Sequence, residues 1–324
     1  MARHVSVIQN TDSSIVDYLA FDGATLVASY AIDYHLAQGF RIVADGELND
    51  HLGLAPPGER TWDLVAQNVS NPNFPVGQLD FLYLDHSGNL IGSALSAVVP
   101  PVRGEGLFGN VPGQTGPTLV SQLPDGSLDM LAFNASGGLI ASDLIPGTAG
   151  LPQVVGVADF GPVHDLSYIN STDQTLGAFV HAPQTIVTQL PDGHIDLIGL
   201  SGSMATGLVY TSSNLLPTPV APVQDVNPTG FNFGSNFILY TSGPPPPTPY
   251  PQLGLNLFPG DTVQMVAQLP SGQLEDLSFD AQTGALTASL LENYTPSSGW
   301  VLTDGGAIAT EVLPGTDFLG VAFL

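Results

Sequence analysis

Residues 119–142 read LVSQLPDGSLDMLAFNASGGLIAS, and the same pattern returns at residues 186–210 and 265–289. Short apolar stretches alternate in this segment with two turn signals, LPDG at residues 123–126 and NASGG at residues 134–138. Apolar alternation of this length between turns that contain Gly and Asp is typical of β-strands. The segment therefore predicts a three-stranded meander.

Weaker copies of the meander extend over the whole chain. They begin at residues 5–29, where Gln9 stands in the place of Gln122, and they end at residues 310–324, which contain only the first two strands of a copy. A single meander exposes too much apolar surface to be stable alone, so tandem copies must cover one another. Seven units are predicted, at residues 3–60, 61–115, 116–150, 151–183, 184–218, 219–260 and 261–303, with residues 304–324 closing the assembly.

The fold predicted from these units is all-β, a single β-propeller of seven blades over residues 1–324. A ring lets the truncated last copy pair with strands from the beginning of the chain, so that no sheet edge is left over. Residues 40–54 leave the number of blades open. They are predicted to form an outer hairpin of the first unit, and as an independent unit they would raise the count to eight.

Charge is scarce in this chain and almost all of one sign. Charged residues make up 10% of the 324 residues, with 29 acidic and four basic residues, which gives a net charge of −25 at pH 7. The four basic residues are arginines, and none follows Arg103. Such a charge repels phosphate backbones and anionic lipids, so no nucleic-acid partner is expected, and cations are the expected small partners.

Three features of the sequence favour a location outside the cell: its acidity, its lack of Cys and the form of its last residues. The chain has no Cys, no run of about eighteen apolar residues that could span a membrane, and no cleavable signal pattern in its first residues. Residues 316–324, TDFLGVAFL, resemble the uncleaved C-terminal signals of bacterial type I secretion substrates, although the same residues could be a strand that locks the ring. We therefore expect an extracellular or cell-surface protein, with a bacterial host favoured.

Some joints between strands resemble those of FG-GAP/VCBS repeats, which occur in bacterial surface proteins and in integrin-like β-propellers. The residues that carry the resemblance are VADF at 157–160, DL at 165–166 and QTGAL at 282–286. The resemblance implies a propeller fold. It also implies a calcium loop of the pattern DxNxDGxxD in the turn between the first two strands of each unit, so calcium is the one cofactor to test.

The chain keeps only part of that calcium loop. At residues 122–129 the leading Asp is replaced by Gln122 and one residue is missing, while Asp125 and Asp129 remain. Calcium takes about six to eight oxygen ligands, so most of these turns are predicted to be metal-free, with Asp125 and its equivalents accepting backbone amide hydrogen bonds. The sequence leaves open that one or two of the turns bind calcium. The candidate calcium ligands are Asp125, Asp129, Asp159, Asp165, Asp192, Asp196, Asp225 and Asn227.

No motif in the sequence indicates catalysis. There is no HExxH zinc motif, no GxSxG nucleophile elbow, no Lys for a phosphate-binding loop or a Schiff base, and no Cys nucleophile. Paired carboxylates remain, as in glycan-active enzymes, and a catalytic pair should break the symmetry of the repeats. Carboxylates that break it are Glu47, Asp50, Glu105 and Glu311. Their spacing indicates no pair, so no catalytic residue is assigned and an enzyme is not expected.

The expected function is binding without catalysis, by a rigid scaffold that presents loops to a protein or glycan partner. A lectin-like propeller is the alternative, because aromatic side chains stack on sugar faces, and its candidate residues are Trp62 and Trp300. The aromatics that recur in second strands are instead predicted to pack between blades. These are Phe21, Tyr83, Phe133, Tyr168, Tyr240 and Phe279.

Overall fold

Strands account for all the regular secondary structure of the described residues. The computed structural model describes residues 3–22, 24–32, 34–48, 61–85, 89–105, 114, 116–158, 185–203, 207–217, 219–220, 226–232, 262–280 and 285–303. These ranges contain twenty β-strands. Over the same ranges, no helix has the length and apolar character needed to cross a membrane.

The strands form five antiparallel sheets of four strands each. Sheet 1 runs in the order β20 (Trp300–Leu302), β1 (Arg3–Asn10), β2 (Val16–Asp22), β3 (Thr25–Ala31). Sheet 2 contains β4 (Phe40–Leu48), β5 (Thr61–Asn68), β6 (Gln78–Leu84) and β7 (Leu90–Val98), and sheet 3 contains β8 (Val102–Glu105), β9 (Thr118–Gln122), β10 (Leu128–Phe133) and β11 (Leu139–Leu144). Sheet 4 contains β12 (Val154–Ala158), β13 (Thr185–Gln189), β14 (Ile195–Ser203) and β15 (Gly207–Leu215), and sheet 5 contains β16 (Val226–Asn232), β17 (Thr262–Gln268), β18 (Leu274–Asp280) and β19 (Leu286–Leu291).

The five sheets stand in a closed ring. Five clusters of buried side chains fill the spaces between sheets 1 and 2, 2 and 3, 3 and 4, 4 and 5, and 5 and 1. Successive side chains of a strand point to opposite faces of its sheet, so neighbouring residues pack in different clusters. In sheet 3, Leu119 packs in the cluster shared with sheet 2, and Val120 packs in the cluster shared with sheet 4. The inner strands β4, β8, β12 and β16 contact one another in turn, and β1 contacts both β4 and β16. This arrangement is a β-propeller.

Burial decreases from the inside of the ring to its outside. All five residues of β9 are buried, whereas β11, the outermost strand of the same sheet, alternates between exposed and half-buried residues. The aromatics predicted to pack between blades do so where they are described: Phe21, Tyr83, Phe133 and Phe279 are buried in the clusters between sheets. Tyr168 and Tyr240 lie outside the described residues.

The described residues form a ring of five blades, so the prediction of seven is wrong. The units predicted at residues 151–183 and 184–218 form one sheet, because Val154–Ala158 pairs with Thr185–Gln189. In the same way Val226–Asn232, from the unit predicted at residues 219–260, pairs with Thr262–Gln268. The long connections between these paired strands were counted as units because they carry strand-like apolar alternation.

The outer hairpin predicted at residues 40–54 is also wrong, and so is the alternative of an eighth unit. Phe40–Leu48 is the first strand of sheet 2 and pairs along its length with Thr61–Asn68. A hydrophobic run shows that a strand forms, but the sheet it joins depends on partners distant in sequence. Residues 49–54 lie outside the described residues.

A strand from late in the chain closes the ring, which supports the predicted closure in part. Leu302 of β20 lies opposite Ile8 of β1, and Trp300 lies opposite Asn10. The amide of Thr303 continues the pairing by donating to Val7 O at 3.0 Å. Residues 304–324, which were predicted to close the ring, lie outside the described residues.

In the part of the chain that the structure describes, a buried glutamine joins one sheet to the next at four places. In sheet 3, Gln122 Nε2 donates to Pro152 O at 2.8 Å, and Gln122 Oε1 accepts the Val154 amide at 3.0 Å. We call this pair of bonds the glutamine clamp. A carboxylate cannot make it, because it accepts hydrogen bonds and donates none when ionised. Three other clamps are made by Gln9 with Phe40 and Ile42, by Gln67 with Pro100 and Val102, and by Gln268 with Trp300 and Leu302.

Candidate functional site

Two connections between sheets share one sequence pattern. Residues 34–40 read YHLAQGF and residues 294–300 read YTPSSGW, which is Tyr, four residues, Gly and an aromatic in both cases. The first connects β3 to β4 and the second connects β19 to β20. They therefore lie at the junction between sheets 1 and 2, called junction 1/2, and at the junction between sheets 5 and 1, called junction 5/1.

The backbone of the two connections is the same. Gly39 and Gly299 have φ values of 89° and 90°, a conformation that favours Gly. The amide of Phe40 donates to Ala37 O at 3.0 Å, and the amide of Trp300 donates to Ser297 O at 3.2 Å. The carbonyls of Phe40 and Trp300 both accept from a glutamine clamp. Phe40 and Trp300 are thus equivalent positions.

Each connection also places its tyrosine beside a carboxylate of sheet 1 or sheet 2. At junction 1/2 the hydroxyl of Tyr34 hydrogen-bonds to Asp80. Burial raises the pKa of Asp80 to about 6, and the hydrogen bond from Tyr34 acts in the opposite direction. At junction 5/1 the pKa of Tyr294 is raised by burial and then by the negative charge of Asp17.

Junction 1/2 is closed by an aromatic side chain from the turn after β5. The rings of Phe40 and Phe74 meet edge to face with centroids 5.4 Å apart, and Phe40 is only 4% exposed. Asn68 Nδ2 donates to Phe74 O at 2.8 Å and to Pro75 O at 3.0 Å, which holds this turn over the junction.

Junction 5/1 is open, because the equivalent turn is shorter. Asn10 begins this turn as Asn68 begins the other, with its Oδ1 accepting the amides two and three residues later. The turn after β1 ends at Ser14, whose amide donates to Asn10 O at 2.8 Å, and it carries no aromatic residue. Trp300 is consequently half-buried.

Carboxylates surround the open junction. A Cβ on Gly299 would lie 3.0 Å from Asp12 Oδ2, and Thr11 holds this turn against Gly299 O through its amide at 2.8 Å and its hydroxyl at 3.0 Å. The position equivalent to Asp12 at junction 1/2 is Ser70, a neutral residue. Junction 5/1 thus combines two carboxylates with two half-buried aromatic rings.

Pairs of a carboxylate and a serine recur on the two outermost strands of three sheets. Ser29 Oγ donates to Asp17 Oδ2 at 2.8 Å, and Ser142 Oγ donates to Asp129 Oδ1, also at 2.8 Å. Ser289 Oγ donates to Glu275 Oε1 in the same way. Burial raises the pKa of Asp129. These carboxylates are used between strands of one sheet, and Asp17 differs from Asp129 and Glu275 in having a tyrosine beside it.

The calcium candidates do not assemble a metal site in the described part of the chain. Asp125 Oδ1 accepts the Ser127 amide at 2.9 Å, and this bond lowers the pKa of Asp125. Asp192 makes the equivalent bond to the His194 amide at 3.1 Å, and its pKa is lowered likewise. Asp129, by contrast, pairs with a serine on the next strand. Among the described residues no three His, Cys, Asp or Glu side chains gather as a metal site requires.

The remaining candidates are scattered. Asp196 is buried in β14, and Asn227 lies in β16, where its backbone is opposite Val266. Glu47 in β4 and Trp62 in β5 lie opposite one another in sheet 2, and Glu105 lies in β8. The candidates outside the described residues are Asp50, Asp159, Asp165, Asp225 and Glu311.

The sequence interpretation named Trp300 but missed its neighbours. Asp12 and Tyr294 lie in connections between strands, and Asp17 has an equivalent in Asp129, so the sequence does not single out any of the three. The signal was present in the shared pattern of residues 34–40 and 294–300. Comparing the turns after Asn10 and Asn68 would have shown which copy leaves its aromatic uncovered.

No family model matches the chain, and no curated protein matches it either. Among solved structures, a protein of unknown function from Bacteroides caccae aligns with 8% identity and a TM-score of 0.36, over 90% of this chain and 73% of the other. BBS1N in complex with ARL6DN aligns with 10% identity and a TM-score of 0.35, over 91% and 69%. The Dos1 propeller aligns with 8% identity and a TM-score of 0.33, over 90% and 58%. The assignment as a propeller rests on the strand pairing described above.

Proposed function

We propose that this propeller is a non-catalytic scaffold that binds a partner protein outside the cell. The observation that carries the proposal is the apolar character of the outermost strands. Leu95, Val98, Leu144, Leu215 and Leu291 are each at least half exposed. An outermost strand also presents unpaired backbone groups, so exposed apolar side chains on it can pack against another molecule that pairs there.

The use of the described carboxylates supports binding over catalysis. Asp17, Asp129 and Glu275 each accept a hydrogen bond from a serine at an equivalent place in its sheet. A residue repeated around a ring serves the fold, whereas a general acid and its partner should occur once.

A glycan partner is the second candidate, because Trp300 and Tyr294 keep part of their rings exposed at junction 5/1. We also propose that the blades of this propeller are related to FG-GAP/VCBS repeats. Its support is the recurrence of an aspartate at Asp125 and Asp192, in the same turn of two blades. An acidic chain without Cys suits a location outside the cell, where stability then rests on packing.

The test is a binding screen combined with a turnover assay on the full chain. We expect retention of peptides on a randomised peptide array and no release of product from a panel of fluorogenic glycosides. Leu144→Ser should weaken any contact made by the outer strands without unfolding the protein, because Leu144 is 56% exposed. Hydrolysis that disappears in a carboxylate-to-amide variant would show that the protein is an enzyme. If the chain retains neither peptides nor glycans, the scaffold proposal is wrong.

A further inference from the structure

We propose that junction 5/1 binds a neutral sugar, with the ring of Trp300 as its platform and with Asn10 and Asp12 as its hydrogen-bonding groups. The ligand class is a neutral pyranose that has two adjacent hydroxyl groups and an apolar face. This inference rests on the second candidate of the proposed function, the glycan partner, and gives it a location. The apolar outer strands proposed to contact a protein have no part in this site.

The closed junction shows what fills the equivalent space. At junction 1/2 the ring of Phe74 meets the ring of Phe40 edge to face. Asn68 Nδ2 donates to three carbonyl oxygens of the same turn, at 3.1, 2.8 and 3.0 Å, which belong to Asn71, Phe74 and Pro75. The covering turn thus supplies an apolar ring and oxygen acceptors together. A ligand that takes its place at junction 5/1 needs the same two properties.

Trp300 is the platform at the open junction. Its side chain packs against the buried cluster between sheets 5 and 1 and is itself only half-buried. Trp300 lies directly opposite Asn10 in the pairing of β20 with β1. The next pair on the same face, Leu302 and Ile8, belongs to that cluster. Side chains directly opposite on one face of an antiparallel pair have Cβ atoms about 5 Å apart, so the Trp300 ring and the Asn10 amide border the same space.

A hydrogen-bond donor and an acceptor converge beside this ring. Asn10 Oδ1 accepts the amides of Asp12 and Ser13, and no acceptor for Asn10 Nδ2 is found in the described part of the chain. Gly299 leaves the space beside its Cα clear, where a Cβ would lie 3.0 Å from Asp12 Oδ2 and 3.9 Å from Asn10 Nδ2. The exposed carboxylate of Asp12 and this amide can therefore bond to neighbouring groups of one ligand.

The combination of a donor and an acceptor favours hydroxyl groups. A hydroxyl can accept from the Asn10 amide and donate to the Asp12 carboxylate, and two adjacent hydroxyls of a pyranose can use both groups at once. A basic side chain has no acceptor for the amide. An acidic sugar would meet the Asp12 carboxylate in a chain whose net charge is −25. The C–H face of a neutral pyranose supplies the apolar surface that Phe74 supplies at junction 1/2.

The probes are four neutral oligosaccharides, the linear β-linked hexamers of glucose, xylose, mannose and galactose, titrated into the full chain by calorimetry. We expect at least one to bind, and Trp300→Ala to weaken that binding about tenfold because the stacking surface is lost. Asn10→Asp keeps the Oδ1 that holds the turn and replaces the Nδ2 donor by an oxygen, so it should weaken binding about fivefold. Asp12→Ser, which introduces the residue of junction 1/2, should have a similar effect.

The matched control for Asn10→Asp is Asn134→Asp. Asn134 Oδ1 likewise accepts two amides, those of Ser136 and Gly138, in a turn of sheet 3. The change adds the same charge there and should alter sugar binding by less than about twofold. Thermal melting of each variant identifies loss of folding, and Asn10→Asp remains informative if Trp300→Ala does not fold.

The outcomes separate this inference from the proposed function. If none of the four sugars binds while peptides are retained, the sugar site is wrong and the scaffold proposal stands. Sugar binding that is lost in Trp62→Ala and unchanged in Trp300→Ala would place the glycan in sheet 2, which overturns the inference and leaves a glycan partner in place. Binding of an arginine-containing peptide but of no sugar, lost in Trp300→Ala, would make the junction a protein contact and also overturn the inference.

Discussion

Junctions 1/2 and 5/1 share a backbone and differ in their surfaces. Each has a tyrosine, a glycine with positive φ, and an aromatic residue whose carbonyl accepts a glutamine clamp. Phe74 covers Phe40 at junction 1/2, whereas the shorter turn after β1 leaves Trp300 only half-buried. The difference teaches that main-chain contacts common to the sheets carry the fold of this ring, while one short turn decides the surface chemistry of a junction.

The largest expected effect concerns the two aromatic residues themselves. Phe40→Ala should lower the free energy of unfolding by about 3 kcal/mol, because it empties a site that is 4% exposed beneath Phe74. Trp300→Ala should cost about half as much, since part of the Trp300 side chain is already in water. Guanidinium unfolding followed by circular dichroism measures both values. A larger loss for Trp300→Ala would show that junction 5/1 is as closed as junction 1/2.

The glutamine clamps should be equally important at the two junctions. Gln9→Ala and Gln268→Ala should each destabilise the protein by about 2 kcal/mol, because each leaves a buried amide and a buried carbonyl without their partner. The control is Gln38→Ala, at an exposed position of the connection before Phe40, with an expected change under about 0.5 kcal/mol. Unequal losses at Gln9 and Gln268 would contradict the view that the backbone contacts are equivalent.

Asp80 should give junction 1/2 its own pH dependence. Its pKa of about 6 lies above the ordinary value of 3.8, so the folded chain keeps a proton that the unfolded chain has lost. This group therefore costs stability progressively as the pH rises from about 4 to about 6, and the cost stays constant at higher pH.

Asp80→Asn should remove that cost. The free energy of unfolding of the variant minus that of the original protein should be greater at pH 7 than at pH 4. The increase should be about 1 kcal/mol once screening by solvent is allowed for. Unfolding midpoints measured across this pH range provide the test. Asp17→Asn is the comparison at junction 5/1, and an identical pH profile for the two variants would remove the distinction drawn for Asp80.

The smallest effect is expected from calcium. Addition of about 5 mM calcium should leave the thermal midpoint within about 1 °C of that in equal magnesium, because the described carboxylates do not converge as a calcium site needs. A rise that is lost in Asp17→Asn would make the open junction a metal site. A rise of the midpoint that is lost in Asp125→Asn would show that calcium binds in the turns between strands and at neither junction.

Local pattern predicted local structure well in this chain. Residues 119–142 contain three strands and two turns where the alternation and the turn signals place them, and Asp125 accepts a backbone amide as an Asx turn requires. Strand periodicity and turn chemistry act over a few residues, so they can be read directly from the sequence.

The number of blades could not be read in the same way. Val154 begins a strand that pairs near Thr188, across a long connection that itself looks like strands. Only hydrogen bonds distant in sequence decide whether such a strand starts a new sheet or completes the next one. The role of Gln122 could not be predicted from the sequence either. Gln122 stands where a calcium loop has an Asp ligand, but in the fold its side chain hydrogen-bonds to the adjacent sheet.

The pairing of β20 with β1 has a consequence for how order is lost. In an open row of repeats, the outermost members have one neighbour and fray first. Here every sheet has a neighbour on each side, so detaching any one of them would expose two apolar clusters at once. We expect the five sheets to melt together, with no weak end from which disorder could spread.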